Sequence, residues 1–327
     1  MPTRPVIVWF RQDLRLADNM ALLRAAETGA PVLPLYVLDD VTPGPWRMGG
    51  ASRWWLHHSL TALAADLAAI GAPLTILAGA AEEVLPRLAA ETGADTVTCS
   101  RSYEPWARAL EQRLHARLEA AGVKLRRYAG TLLREPEEVA TGSGGPYKVY
   151  TPFWRAIAAK GPPRSPLAAP ARLTPPPHLP KGVSLADLAL LPMKPDWARG
   201  MREAWTPGEA GARARLAGFL ASALAGYQES RNRPDKPGTS RLSPHLHFGE
   251  VSPATVWHAT EGTSPDAARL DADRETFLKE LTWREFSAHL LFHFPDLPET
   301  PFRAEFGRFP WREDEAGLAA WQKGRTG

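Results

Sequence analysis

Glu280, Trp283, Arg284 and Ser287 place a carboxylate, an indole, a guanidinium and a hydroxyl at spacings i, i+3, i+4 and i+7. In a helix those positions share one face, with Phe277, Leu278 and Leu281 partly around the other side. A stripe that mixes tryptophan with ionisable groups makes a poor core face. It suits a flat aromatic ligand, on which the indole stacks and whose edge the carboxylate hydrogen-bonds. A solvated helix face carrying one tryptophan is the competing reading. A second constellation, Gly238-Thr239-Ser240-Arg241-Leu242-Ser243-Pro244, gathers three hydroxyls and a proline where a helix begins after a Lys-Pro-Gly turn. Hydroxyls, free backbone N–H groups and the positive end of a helix dipole suit a phosphate. Plain N-capping by Ser240 or Ser243 is the alternative. Just upstream lies Tyr227-Gln228-Glu229-Ser230-Arg231-Asn232-Arg233-Pro234. Its two arginines could neutralise nucleic-acid phosphates or simply stand in solvent.

Other chemistries find no support. His57-His58 and His245-x-His247 lack the carboxylate or cysteine neighbours of a metal site, so no metal is expected. The single cysteine, Cys99, precludes an intramolecular disulfide and agrees with a reducing compartment. Neither GxGxxG nor a Walker A sequence comes after the first apolar run. That run leads instead into Arg11, Gln12, Asp13, Leu14, Arg15 and Asp18, a segment that reads equally as a ligand loop or as a structural arginine and aspartate network.

The elements that must position these groups fall into three territories. Over residues 1–130, PVIVWF, VLPLYVLD, PLTILAG, DTVTCS and KLRRYAG read as strands. Between them Asn19 to Thr28, Ala51 to Ile70, Ala81 to Thr92 and Pro105 to Ala121 read as helices, the second with Leu56, Leu60, Leu63, Leu67 and Ile70 on one stripe. Regular alternation implies a doubly wound parallel sheet covered on both faces, with ligands at the carboxyl ends of its strands. Residues 131–206 form an interdomain connector, because GPPRSPLAAPARLTPPPHLP contains too many prolines for helix or central strand. The flanking Tyr147, Tyr150, Phe153 and Trp154 are expected to pack it between domains. Residues 207–327 are helical throughout, with Leu216, Leu220, Leu224 and Tyr227 on one face and Ser252-Pro253 starting a helix. The fold class is therefore α/β plus all-α.

With 327 residues and 44% hydrophobic content, the chain can bury a sizeable core. No stretch approaches the length of a membrane span, and the N-terminus lacks a signal-peptide pattern, so a cytoplasmic protein is expected. A net charge of +3 permits a polyanionic partner without requiring one. Twelve tryptophans, several in polar surroundings, are harder to assign to core alone.

At these residues a family resemblance becomes specific. FRQDLRLADN, TSRLSPHLHFGEVSP, ELTWREF and AAWQKGRTG resemble, in order and spacing, the landmarks of class I photolyases of the photolyase and cryptochrome family. The resemblance implies a Rossmann-like antenna domain and a helical domain that binds FAD. It further implies light-driven repair of cyclobutane pyrimidine dimers in DNA, by electron transfer from excited reduced flavin. Flavin contacts would come from Tyr227, Thr239, Ser240, Arg241, Leu242, Ser243, Phe277, Glu280 and Arg284. DNA contacts would come from Arg231, Glu280, Trp283, Arg284 and Ser287, with Glu280 and Trp283 catalytic. Trp311 matches the outermost tryptophan of the photoreduction chain. Partners other than pyrimidine-dimer DNA are not indicated. Two departures stand out. Pro105, Trp106 and Ala107 replace the Asn-Glu pair of folate-antenna members, so a second antenna chromophore would be of another, unknown identity. The chain also ends at Gly327, where the family continues, so an incomplete flavin domain is expected. A cryptochrome-type photoreceptor, or a remnant without flavin, are the rival readings.

Overall fold

The computed structural model describes residues 4–261 and 267–326, which leaves the first three residues and the terminal glycine of the last family landmark outside the description. Five strands, β1 (Val6–Phe10), β2 (Val32–Leu38), β3 (Thr75–Ala78), β4 (Thr96–Ser100) and β5 (Lys124–Tyr128), form one parallel sheet in the order β3-β2-β1-β4-β5. β1 and β2 are apolar and buried along their whole length, as strands covered on both faces must be. Their alternate residues face opposite layers. Val6, Val8 and Phe10 meet α1 (Met20–Glu27) and the leucine stripe of α2 (Gly50–Ala69). Ile7 and Trp9 join a second cluster with α3 (Ala81–Thr92) and α4 (Pro105–Ala120). β5 is different, because its KLRRY sequence is largely exposed and its charges blunt the sheet edge. The strand order reverses between β1 and β4, and a ligand crevice belongs at that switch point.

The loop after β1 is mainly a structural network. Buried Arg15 donates to the carbonyls of Gly249, Asp18 and Gly130. Asp18 accepts from Arg164, Leu14 N–H donates to Phe248 O, and Leu16 N–H donates to Glu209. These bonds fasten the sheet domain to the connector and to the helices beyond it. Gly249 sits at φ +68° against this loop, where an added Cβ would collide with Gln12 O. Only glycine permits so close an approach of two backbones.

The connector is less extended than its prolines suggest. It contains α5 (Tyr150–Ala159) and α6 (Arg199–Ala204). The α5 segment precedes the proline run, and its Phe153 and Ile157, one turn apart, are buried against Val139 and Phe286. The aromatics around Tyr150 thus pack on the helical domain rather than between domains. Residues 161–180 form neither helix nor strand, and Leu173 within them enters the sheet core.

The remaining elements are helical: α7 (Glu209–Ser222), α8 (Tyr227–Ser230), α9 (Ser243–His247), α10 (Pro253–Ala259), α11 (Ala267–His293) and α12 (Glu315–Gln322). α7 ends earlier than its apolar period, and Gly226 at φ +86° turns the chain into α8. Leu216, Leu224 and Tyr227 nevertheless share one core with Phe277, Leu278 and Leu281 of α11. Ser252 caps α10 by accepting from Thr255 N–H. Ser252→Ala should therefore lower stability by about 1 kcal/mol, read from the chemical denaturation midpoint, and an unchanged midpoint would contradict the cap's contribution.

Candidate functional site

The switch-point crevice opens into a cavity of about 840 Å³ between the sheet domain and the helices. The sheet side supplies Arg11 and Gln12 after β1, Ser100 to Glu104 at the end of β4, and Thr131 and Leu132 from the connector. The helical side supplies Tyr227, Arg231, the whole loop Thr239 to Ser243, Leu246 and His247, and one stripe of α11.

That stripe is Phe277, Glu280, Leu281, Arg284, Ala288 and Leu291. It is rotated from the one read in the sequence. Phe277 and Leu281, placed around the other side, line the cavity, whereas Trp283 and Ser287 do not. Ser287 Oγ donates within the helix to Trp283 O at 3.0 Å. The Trp283 indole, 44% exposed, lies stacked on Tyr150 with ring centres 3.6 Å apart and planes 8° from parallel. The rotation has a packing cause. Leu278 is drawn into the helical core and Phe286 towards α5, which turns the intervening groups to the cavity or to the outer surface.

Phe277 and Tyr227 form the buried aromatic floor, their rings perpendicular at 5.4 Å. Burial pushes the Tyr227 phenol above its ordinary pKa, with Arg231 opposing the shift and Glu280 adding to it. Arg231 is not a free cation, since its guanidinium meets Glu280 at 2.5 Å. Arg233 pairs with Asp235 at an exposed position.

The hydroxyl loop is held by its surroundings rather than by N-capping. Leu242 occupies the cap of α9 without a side-chain bond, and Ser240 Oγ only accepts from Leu242 N–H at 3.4 Å. Arg241 adopts φ +54° and lays its guanidinium over Trp205, 4.2 Å from the ring centre. A Cβ on Gly238 would stand 2.6 Å from Ser230 Cβ, so glycine lets the loop close against α8. Behind α9, His245 Nδ1 lies 2.5 Å from Glu250 Oε2. The other Glu250 oxygen accepts from Trp55 Nε1 at 3.0 Å and Gly208 N–H at 2.7 Å.

A second cavity of about 740 Å³ lies over the carboxyl ends of the strands. Trp9, Tyr36, Trp46, Met48, Trp106 and Phe248 are among its lining groups, and it shares Arg11, Gln12, Ser102, Glu104, His247 and Leu291 with the first. Sequence reasoning did not single out Trp46, or Tyr150 as the partner of Trp283. For Trp106 a signal existed, because it comes after Pro105 directly beyond β4, where the sheet rule places ligands. Trp311 is 77% exposed and lines neither cavity. Among the described residues, no group of three or more His, Cys, Asp or Glu side chains could hold a metal ion, and no helix is long and apolar enough to cross a membrane.

The donor set fits FAD. The first cavity has the size of a cofactor site and combines a hydroxyl loop, guanidinium groups and an aromatic floor. Comparison with known proteins identifies the family. Residues 6–174 match the family model described as DNA photolyase, and residues 277–327 match the FAD binding domain of DNA photolyase. The chain is 50% identical over its full length to the deoxyribodipyrimidine photo-lyase of Agrobacterium fabrum, covering 67% of that protein. It is 34% identical to cryptochrome-1 of Arabidopsis thaliana, over 98% of this chain and 48% of that one. The crystal structure of a bacterial class III photolyase from Agrobacterium tumefaciens superposes with a TM-score of 0.93 at 49% identity, over 99% of this chain and 66% of that one. The class I subtype suggested by the sequence motifs is therefore not supported. The chain spans about two thirds of the length of the photo-lyase it matches.

Proposed function

Since the chain belongs to the DNA photolyase family, we propose that it binds FAD in the larger cavity and takes part in light-driven repair of pyrimidine dimers in DNA, in the manner of class III photolyases. The observation that carries this reading is the convergence, in one cavity, of Tyr227, Thr239 to Ser243, Phe277, Glu280 and Arg284. Bound there in its reduced form, FAD would supply the electron that light transfers to the lesion. The protein's part is positioning. Thr239, Ser240 and Ser243 would receive the phosphates, and Leu242 and Phe277 would pack the nucleotide. Arg241, its guanidinium stacked on Trp205, would act by holding the loop rather than as a free cation.

Glu280 would hydrogen-bond the edge of a flipped base, as an anchored acceptor whose charge Arg231 balances. Trp283, with Tyr150 covering one face, would offer the other face to the base. Arg284 stands between the two functions, lining the flavin cavity one residue from Trp283. Arg231 would reach a DNA phosphate only by sharing its charge with Glu280. Ser287, bonded to its own helix, and exposed Trp311 are left with roles in DNA contact and electron transfer that rest on the motif resemblance alone. The second cavity, with its indole rings, would accept a second light-harvesting chromophore.

Absorption and fluorescence titration of the chain with FAD test the reading directly. Saturable quenching, reduced at least tenfold in affinity by Phe277→Ala, is the expected result, because the variant removes the floor of the cavity. No binding at micromolar FAD would overturn it. A signalling photoreceptor is the second reading, favoured by the cryptochrome match over nearly the whole chain.

A further inference from the structure

The wall of the larger cavity depends on a carboxylate that does not face it. Glu285 is buried on α11, 2% exposed, and one of its oxygens accepts from Leu133 N–H at 2.6 Å. The other lies 3.0 Å from the guanidinium of Arg284. Leu133 comes directly after Thr131 and Leu132, and those two residues and Arg284 all line the cavity. One buried group thus holds two separate pieces of the wall.

We propose that Glu285 is a positioning residue for the flavin reading above, on which this inference rests, holding Arg284 and the Thr131 to Leu132 strip in their binding geometry when ionised and releasing Arg284 when neutral.

The surroundings make that exchange accessible near neutrality. Burial pushes the Glu285 carboxyl up to about 7, opposed by Arg284 and by the N–H groups of Leu133 and Arg134. The groups that face it are few. The Arg134 guanidinium is turned away to the carbonyls of Lys160, Gly161 and Pro162. From the neighbouring 3-10 turn, Pro136–Glu138, Glu137 is paired with Arg101 and Glu138 is exposed, while Glu135 before the turn holds Tyr103 and Arg101. One turn along α11, His289 is held neutral by burial, its pKa lowered to about 4, and accepts from Tyr147 N–H. His247 faces Arg284 across the cavity, and burial lowers its pKa, with Glu104 opposing the shift and Arg284 adding to it. A neutral Glu285 keeps a carbonyl oxygen for Leu133 N–H but loses the charge that anchors Arg284.

The test is FAD fluorescence titration of the wild-type chain and Glu285→Gln at pH 5.5 and 8.5. Wild-type affinity should fall about tenfold from the higher to the lower pH. Glu285→Gln, isosteric with the neutral acid, should show the weak wild-type value at both. A variant that keeps the wild-type pH dependence would assign it to His247 and overturn the proposal, as would a wild type with no dependence. Amide hydrogen exchange of the ligand-free chain separates this from the flavin reading. Leu133 should exchange at least tenfold faster in Glu285→Ala than in wild type. Unchanged protection there would overturn the proposal whether or not FAD binds, whereas faster exchange without any FAD binding would leave the clamp standing and reject the flavin site.

Discussion

Glu250→Ala is expected to destabilise the chain by about 3–5 kcal/mol, because it strands several buried polar groups at about 1–3 kcal/mol each. Glu250 is fully buried and serves three elements at once: Trp55 of α2, Gly208 before α7, and His245 of α9. Its removal leaves an indole N–H and a backbone N–H buried without an acceptor and an imidazole nitrogen without its partner. The loss should appear in the chemical denaturation midpoint. Because α9 continues from the hydroxyl loop without a break, FAD affinity should fall at temperatures where the fold survives. Glu250→Gln retains an acceptor for two of the donors and should lose less. A loss below about 1 kcal/mol in the alanine variant would mean that the three elements are held by packing alone.

Trp283→Ala is expected to weaken binding of pyrimidine-dimer DNA about 5- to 150-fold, the equivalent of roughly 1–3 kcal/mol of base stacking, while undamaged DNA binds nearly as before. The Tyr150 ring held against one face of the indole sharpens this expectation. Tyr150 fixes the plane of Trp283 without covering its other side, so Tyr150→Ala should give a smaller loss of the same preference. Glu280→Ala should act on repair more than on affinity, since an acceptor aimed at the base edge matters most when charge develops there. Electrophoretic mobility with matched damaged and undamaged duplexes decides the first two. Unchanged preference in Trp283→Ala would make the stacked pair ordinary helix surface and would favour the signalling reading.

Much of this molecule was legible in the residue order. The doubly wound sheet, its four covering helices and the helical second half arise from apolar periodicity, because a strand buried on both faces and a helix buried on one leave different local patterns. The Ser252 cap is equally local. The hydroxyl loop and the carboxylate, indole and guanidinium of α11 were likewise visible as unusual neighbours.

Tertiary structure alone decided which way those groups face. The period of α11 allowed Glu280, Trp283, Arg284 and Ser287 to share a surface, but the competing demands of two cores, Leu278 on one side and Phe286 on the other, set the rotation that admits Phe277 and Leu281 to the cavity and leaves Trp283 on Tyr150. The pairing of Arg231 with Glu280, the bolting of Arg15 to Gly249 and the bonds of Glu285 to Leu133 and of Glu250 to Gly208 were hidden for the same reason. Each joins residues far apart in the chain, and a buried charge finds its partner only after the backbone has brought them together.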